Sequence, residues 1–443
     1  MPSLPLGADG LQSRYGAWVA WVDRIATPER MRVYAGLMAA SMLCGLAWNY
    51  ARGSGLLDGS GNVIGGDFVA FYSGARLFLA GRLAESYDPG ARFAFPVQMA
   101  FQRELLAPQQ VTGVSAFVNP PHAVLLYLPF AWPRYAVGLA LWWIAGLATL
   151  ALSIALLRRE LAALRAVPAW RLFAGCGLFL PTYAWFGYGQ ATAFILLVYT
   201  GFFVLLRRGR DGWAGACLSC LAFKPQLAVA SALLLLVRGR WRALAAGAAG
   251  AAAWLAIGYA LDPEATRAYL ALAPELGAML RSSGYDTFGI QSFFGFGALL
   301  LDAFSTRAAD VLTASLTLGA LGWLSWHGWH TPWRPGASDW DLVLAATFAI
   351  GLLVSPQLYL YDLMLLLLPF AIVWAHAPAG APLGGGPVLA WSAVVWLLAF
   401  LGTPLTRAQL YLASALGLGP FALQLATIAI LAWGVEVARR RDA

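Results

Sequence analysis

The chain is predicted to be an all-α polytopic membrane protein, and three observations predict it. Of its 443 residues, 60% are hydrophobic and 11% charged, with a mean hydropathy of +0.68; ordinary soluble domains carry about 25% charged residues. Apolar runs of roughly 16–22 residues, long enough to cross a hydrocarbon core, recur from Met31 to Val437. The basic residues cluster in short connections between those runs, where they report topology. The net charge of +8 therefore needs no nucleic-acid partner.

In chain order, spans are expected near 31–51, 136–157, 171–187, 190–206, 241–261, 306–327, 340–356, 358–376, 387–402 and 420–437. The stretch 212–237 is too long for one helix and is broken at Lys224-Pro225, so it reads as two short helices. Residues 121–133 are apolar but too short to span, and read as a re-entrant or interfacial piece. The first 30 residues contain Asp9, Asp23 and Glu29 and lack a continuous apolar core. No cleavable signal peptide is expected, and the first span reads as an uncleaved anchor. Four cysteines (Cys44, Cys176, Cys217, Cys220) fall in apolar segments and read as small core residues; Cys217 and Cys220 have CxxC spacing without redox or zinc context.

The arginines orient the set. Arg24, Arg30 and Arg32 precede the first span; Arg158-Arg159, Arg207-Arg208-Arg210, Arg238-Gly239-Arg240-Trp241-Arg242 and Arg439-Arg440-Arg441 flank later ones. Placing every cluster in the cytoplasm is consistent with about twelve crossings and both termini inside. The organisation is then a cytoplasmic segment 1–30, one transmembrane domain 31–437 and a cytoplasmic tail 438–443. Five segments fall on the outer, periplasmic face: the loop 52–135, the turn Phe186–Gln190, the Lys224-Pro225 break, the loop 262–305, and Ser355–Asp362.

Of the 29 basic residues, Lys224 is the one lysine. An ammonium at membrane depth costs roughly 2.5–3.5 kcal/mol on insertion scales, so a water-filled cavity, a carboxylate or a phosphate is expected to compensate it. Pro225 predicts broken helix there, which is tolerated where it lines a cavity or is buried in protein. The alternative is a lysine snorkelling to an interface in a chain of arginine-biased codons.

Asp67, in Gly65-Gly-Asp-Phe-Val-Ala-Phe-Tyr72, starts an expected helix over 68–80. It reads either as an N-cap, worth about 1 kcal/mol, or as a general base removing a proton from an acceptor hydroxyl. An interfacial amphipathic helix is expected over 91–106, with Arg92, Arg103 and Glu104 on its solvated face. Asn119-Pro-Pro-His122 opens the re-entrant piece, proline suiting a first helical position; His122 is expected to be exposed to the same cavity. Lys224 suits a phosphate, as a point charge on a flexible stem. Gln190 and Tyr188 lie at the outer turn two crossings earlier, and Ser282–Ser292 could offer backbone donors or be a plain loop. Tyr359, Tyr361 and Asp362 begin the helix after Pro356. Asp362 is either a second carboxylate in the site or a first-turn acid favoured by the helix dipole. His327 and His330 are interfacial on this topology. No P-loop, GxGxxG or GxSxG context is present.

The motifs Gly66-Asp67, Phe71-Tyr72-Ser73-Gly74-Ala75-Arg76, Leu79-Ala80-Gly81 and Tyr87-Asp88-Pro89 follow one another. Asn119-Pro120-Pro121 with Leu128-Pro129, Gly189-Gln190, Ala214-Gly215 leading to Phe223-Lys224-Pro225, and Ser355-Pro356 come after them. In this order they resemble glycosyltransferase family 87, membrane enzymes of the GT-C superfamily that use polyprenyl-phosphate sugars, over about Gly65 to Pro369. The resemblance implies a GT-C fold in a bacterial inner membrane and a periplasmic active site. It also implies inverting transfer of a hexose or pentose from a polyprenyl-phosphate donor to a glycan or glycolipid acceptor. Asp67 is then the carboxylate that activates the acceptor and Lys224 the phosphate binder, with Gln190, Tyr188, His122, Tyr361 and Asp362 towards substrate; no cofactor is expected. Mannose is the leading sugar, although mannosyltransferase relatives carry a Trp- and His-rich stretch after the Ser-Pro, where this chain reads Gln357-Leu-Tyr-Leu-Tyr-Asp362. The rival class is a transporter or flippase of lipid-linked sugars. Carriers often show two matching halves, and no motif repeats between 1–220 and 221–443.

Overall fold

The computed structural model describes residues 8–107, 115–282, 287–377, 386–417, 419 and 421–440. Among them the chain is all-α, with three isolated bridges and no strand. Among the described residues five helices are long and apolar enough to cross a membrane: Glu29–Ala51, Tyr135–Glu160, Trp241–Leu261, Thr306–His330 and Pro387–Ala415.

The helix Ser338–Val354 is the centre of the body. Every residue from Trp340 to Leu353 is buried, as expected for a helix that is apolar all round. Leu425–Arg439, Leu367–Ala375 and Val229–Val237 pack around it. A second core lies under the 52–135 segment, where Phe71 stacks on Tyr127 at 4.4 Å and Trp142 on Phe194 at 4.6 Å.

Several expected spans are interrupted. The stretch 171–187 is two helices, Ala169–Gly177 and Leu180–Tyr188, with Pro181 at the start of the second. The break at Lys224-Pro225 is found: Asp211–Ser219 and Val229–Val237 are joined by two 3-10 turns, with Lys224 at φ −137°, ψ 64°. The 358–376 segment opens with a seven-residue 3-10 turn, Leu360–Leu366.

Other elements add to the expectations or depart from them. Residues Ala8–Ile25 form a helix, seated through Val22 against Ala390 and through Trp18 on Trp391. The amphipathic helix is shorter than 91–106, running Pro96–Leu105; its inner face is polar. There Gln98 accepts from Phe117 N at 2.6 Å and Gln102 from Ser115 N at 3.1 Å, clamping the extended chain beside them. The cysteines are not all core: Cys44 and Cys220 are exposed, because their helices turn those faces outward. Residues 283–286 of the Ser282–Ser292 patch and Arg441 lie outside the described residues.

Charges gather at one end of the bundle. Arg207, at the last turn of Thr192–Arg207, pairs with the fully buried Asp341 at 3.1 Å, which also meets His376 Nε2 at 2.9 Å. Glu160 pairs with Arg208, and Asp211 with Arg240. Arg207, Arg208 and Arg240 belong to two of the arginine clusters named from the sequence.

Small residues let helices approach closely, as membrane packing requires. A Cβ on Gly215 would lie 1.9 Å from the carbonyl oxygen of Ala243 in the adjacent helix. Gly215→Val is therefore expected to lower thermal stability in detergent, by about 1–3 kcal/mol for an overpacked contact. Gly175→Ala, with nothing within 4 Å of the new carbon, should melt like the parent.

Candidate active site

The loop bearing Asp67 is held against the turn 187–190 by backbone bonds. Gly65 N donates to Gly187 O at 3.2 Å and Asp67 N to Tyr188 O at 2.9 Å. Two glycines permit the approach: Gly65 (φ 72°) and Gly189 (φ 68°) lie in the left-handed region, which L-residues with a Cβ rarely visit. A Cβ on Gly189 would also meet Phe68 Cβ at 2.8 Å. Trp142 and Trp143 then donate their ring N–H groups to Gly189 O and Phe186 O, both at 2.8 Å. Tyr135 donates to Ile64 O at 2.8 Å.

Asp67 precedes the helix Phe68–Leu79 but its side chain makes no capping bond. The carboxylate instead accepts from Gln190 Nε2 at 2.9 Å and from the Tyr361 hydroxyl. Asp67 is half-buried, and protein packed around the carboxyl pushes its pKa up to about 6. Desolvation is the main cause; the Gln190 bond and the Lys224 charge pull it down, and Asp362 pushes it up. Lys224 is thus close enough to be felt at Asp67.

Lys224 has a side chain 14% exposed, and its ammonium lies 3.4 Å from Asp362 Oδ1. Asp362, buried in the 3-10 turn, accepts on the same oxygen from Thr192 Oγ1 at 3.0 Å. Its position in the first turn does not explain that carboxylate; its partners do. The ring of Tyr361 lies 6.0 Å from Lys224 Nζ and 5.5 Å from the ring of Tyr188. The 262–305 segment joins through Gln291 N, which donates to Leu358 O at 2.6 Å, and Ser292 Oγ, which donates to Pro356 O at 3.1 Å. All five outer segments named from the sequence meet here.

One candidate falls outside. His122 is buried, not exposed to the cluster: its ring lies 5.8 Å from Trp254, against Gly258. Burial pushes its pKa down to about 4, so the ring is neutral near pH 7. Thr192 is the residue that sequence reasoning missed. Its only signal is a hydroxyl two positions after Gln190, at the start of an apolar run.

An apolar groove of about 680 Å³ between Met31, Phe179, Phe370 and Trp396 shares no residue with this cluster.

A family model described as glycosyltransferase family 87 matches residues 117–356, more than half of the 443 residues. The chain belongs to glycosyltransferase family 87. No curated protein and no solved structure matches it. Family 87 membership makes this a glycosyltransferase, and its apolar helices make it a membrane protein. The matched span holds Tyr188, Gln190, Lys224 and His122. Asp67 precedes it, and Tyr361 and Asp362 follow it.

A carboxyl with its folded pKa raised above the unfolded value makes the folded state bind its proton more tightly. Stability should therefore rise as pH falls through 6 and level off near 4. Melting curves from pH 8 to 4 are expected to show this gain in the parent, and a smaller gain in Asp67→Asn.

Proposed function

We propose that this family 87 enzyme transfers a sugar, a hexose or pentose with mannose leading, from a polyprenyl-phosphate donor to a hydroxyl of a glycan or glycolipid acceptor, with inversion. The observation that carries the reading is the convergence of Asp67 and Lys224 on Tyr361 from separate segments. Asp67 removes the acceptor proton while the acceptor oxygen bonds to the anomeric carbon. The bond from that carbon to the phosphate oxygen breaks, and its electron pair leaves with the lipid phosphate. The donor phosphodiester carries one negative charge and the departing monoester carries more, so a nearby ammonium stabilises departure more than binding. A carboxylate with a pKa near 6 is ionised at neutral pH yet basic enough to accept a proton. Gln190 orients it, and Tyr188 and Tyr361 offer ring faces and hydroxyls to a sugar.

The fold in this reading is of the GT-C type with about twelve crossings, the interrupted helices included. The arginine-rich end and both termini face the cytoplasm, and the Asp67 end faces the periplasm of an inner membrane. Membership of a glycosyltransferase family weighs against the carrier reading.

Membranes containing the protein, a labelled polyprenyl-phosphate sugar and candidate acceptors test this. Asp67→Asn is expected to lower transfer by about 10²–10⁴-fold, the range of general-base contributions, with donor binding intact. Lys224→Ala is expected to raise the KM for the lipid-linked sugar and to lower kcat by more. Undiminished turnover in Asp67→Asn would remove it from the base role, and a change in acceptor KM alone would remove Lys224 from the phosphate.

A further inference from the structure

Asp67 and Lys224 carry opposite charges in one poorly solvated cluster, where attraction is several times stronger than in water. A direct pair would disable both: the base would lose basicity and the ammonium would be occupied. The ammonium sits instead at Asp362 Oδ1. That oxygen also receives the hydroxyl of Thr192, itself fully buried. Tyr361, next to Asp362 in sequence, bonds to Asp67. One short 3-10 turn thus presents a partner to each of the two opposite charges.

We infer that Asp362, pegged by Thr192, is a positioning residue that keeps Lys224 from pairing with Asp67. This rests on the base and phosphate roles proposed above. In the resting enzyme Asp362 balances the ammonium. When the donor arrives, its phosphate joins Asp362 at the ammonium, and Asp67 stays free for the acceptor. The titratable groups felt at Asp67 are Lys224, Asp362, Tyr361 and Tyr135, from three separate segments. Asp362 is the one whose removal frees the ammonium.

The test is an infrared titration of the Asp67 carboxyl in purified protein in lipid nanodiscs, its band identified in each background by difference against Asp67→Asn. Asp362→Asn is expected to lower the Asp67 midpoint by about one pH unit, the size common for a nearby charge. The acid limb of kcat/KM should follow it. Thr192→Val keeps the volume and loses the peg; it should shift the midpoint the same way by less, and Thr192→Ser should restore it. A folded Asp362→Asn with an unchanged midpoint overturns the inference. If Asp362→Asn does not fold, Thr192→Val decides, and equal midpoints in Val, Ser and parent overturn it. Full turnover in Asp67→Asn would instead sink the base assignment and leave the titration result standing.

Discussion

A single ammonium at the break between two short helices, 14% exposed inside an apolar body, constrains everything near it. A lone charge there is costly, so the chain supplies a carboxylate, and that carboxylate needs its own donor, Thr192. Once Lys224 and Asp362 balance each other, Asp67 can stand in the same cluster without being consumed by a salt bridge.

The rest of the fold holds that arrangement still. Tyr135, Trp142 and Trp143 of one helix hold the 64–67 and 186–190 backbones at distances of 2.8 Å, and glycines at 65 and 189 leave out Cβ atoms that would strike Leu139 and Phe68. Asn119 of the Asn-Pro-Pro motif accepts from Tyr87 through its carbonyl at 2.7 Å and donates to Tyr127 at 2.9 Å. The Tyr87 and Asn119 motifs are therefore bonded to each other and to Tyr127. Arg207 sits at the other end of the helix whose first turn carries Thr192, so its ion pair with Asp341 lies apart from the Asp67–Lys224 cluster.

Much of this was legible in the sequence. The Lys224 break was, because a proline beside the one lysine of an apolar run leaves few alternatives. The meeting of five outer segments was, because charge alternation assigns each of them to one end. Whether Asp67 caps its helix was not: a capping and a non-capping aspartate look alike before a helix, and the missing capping bond separates them. Thr192 was hidden because hydroxyls bond to their own helix backbone in most apolar runs. The interruption near Leu178 and the Ala8–Ile25 helix depend on tertiary seats at Phe370 and Trp391, which local pattern does not encode. His122 was misplaced because a Pro-Pro-His sequence cannot tell which side of the turn faces a neighbouring helix.

The most direct test of the central claim is a cryo-electron microscopy map of the protein in nanodiscs with a non-cleavable polyprenyl-phosphonate sugar. The account predicts phosphonate oxygens about 3 Å from Lys224 Nζ, with the anomeric carbon turned towards Asp67. A phosphonate bound at the arginine-rich end, or one beside Lys224 with its sugar pointing away from Asp67, would contradict it.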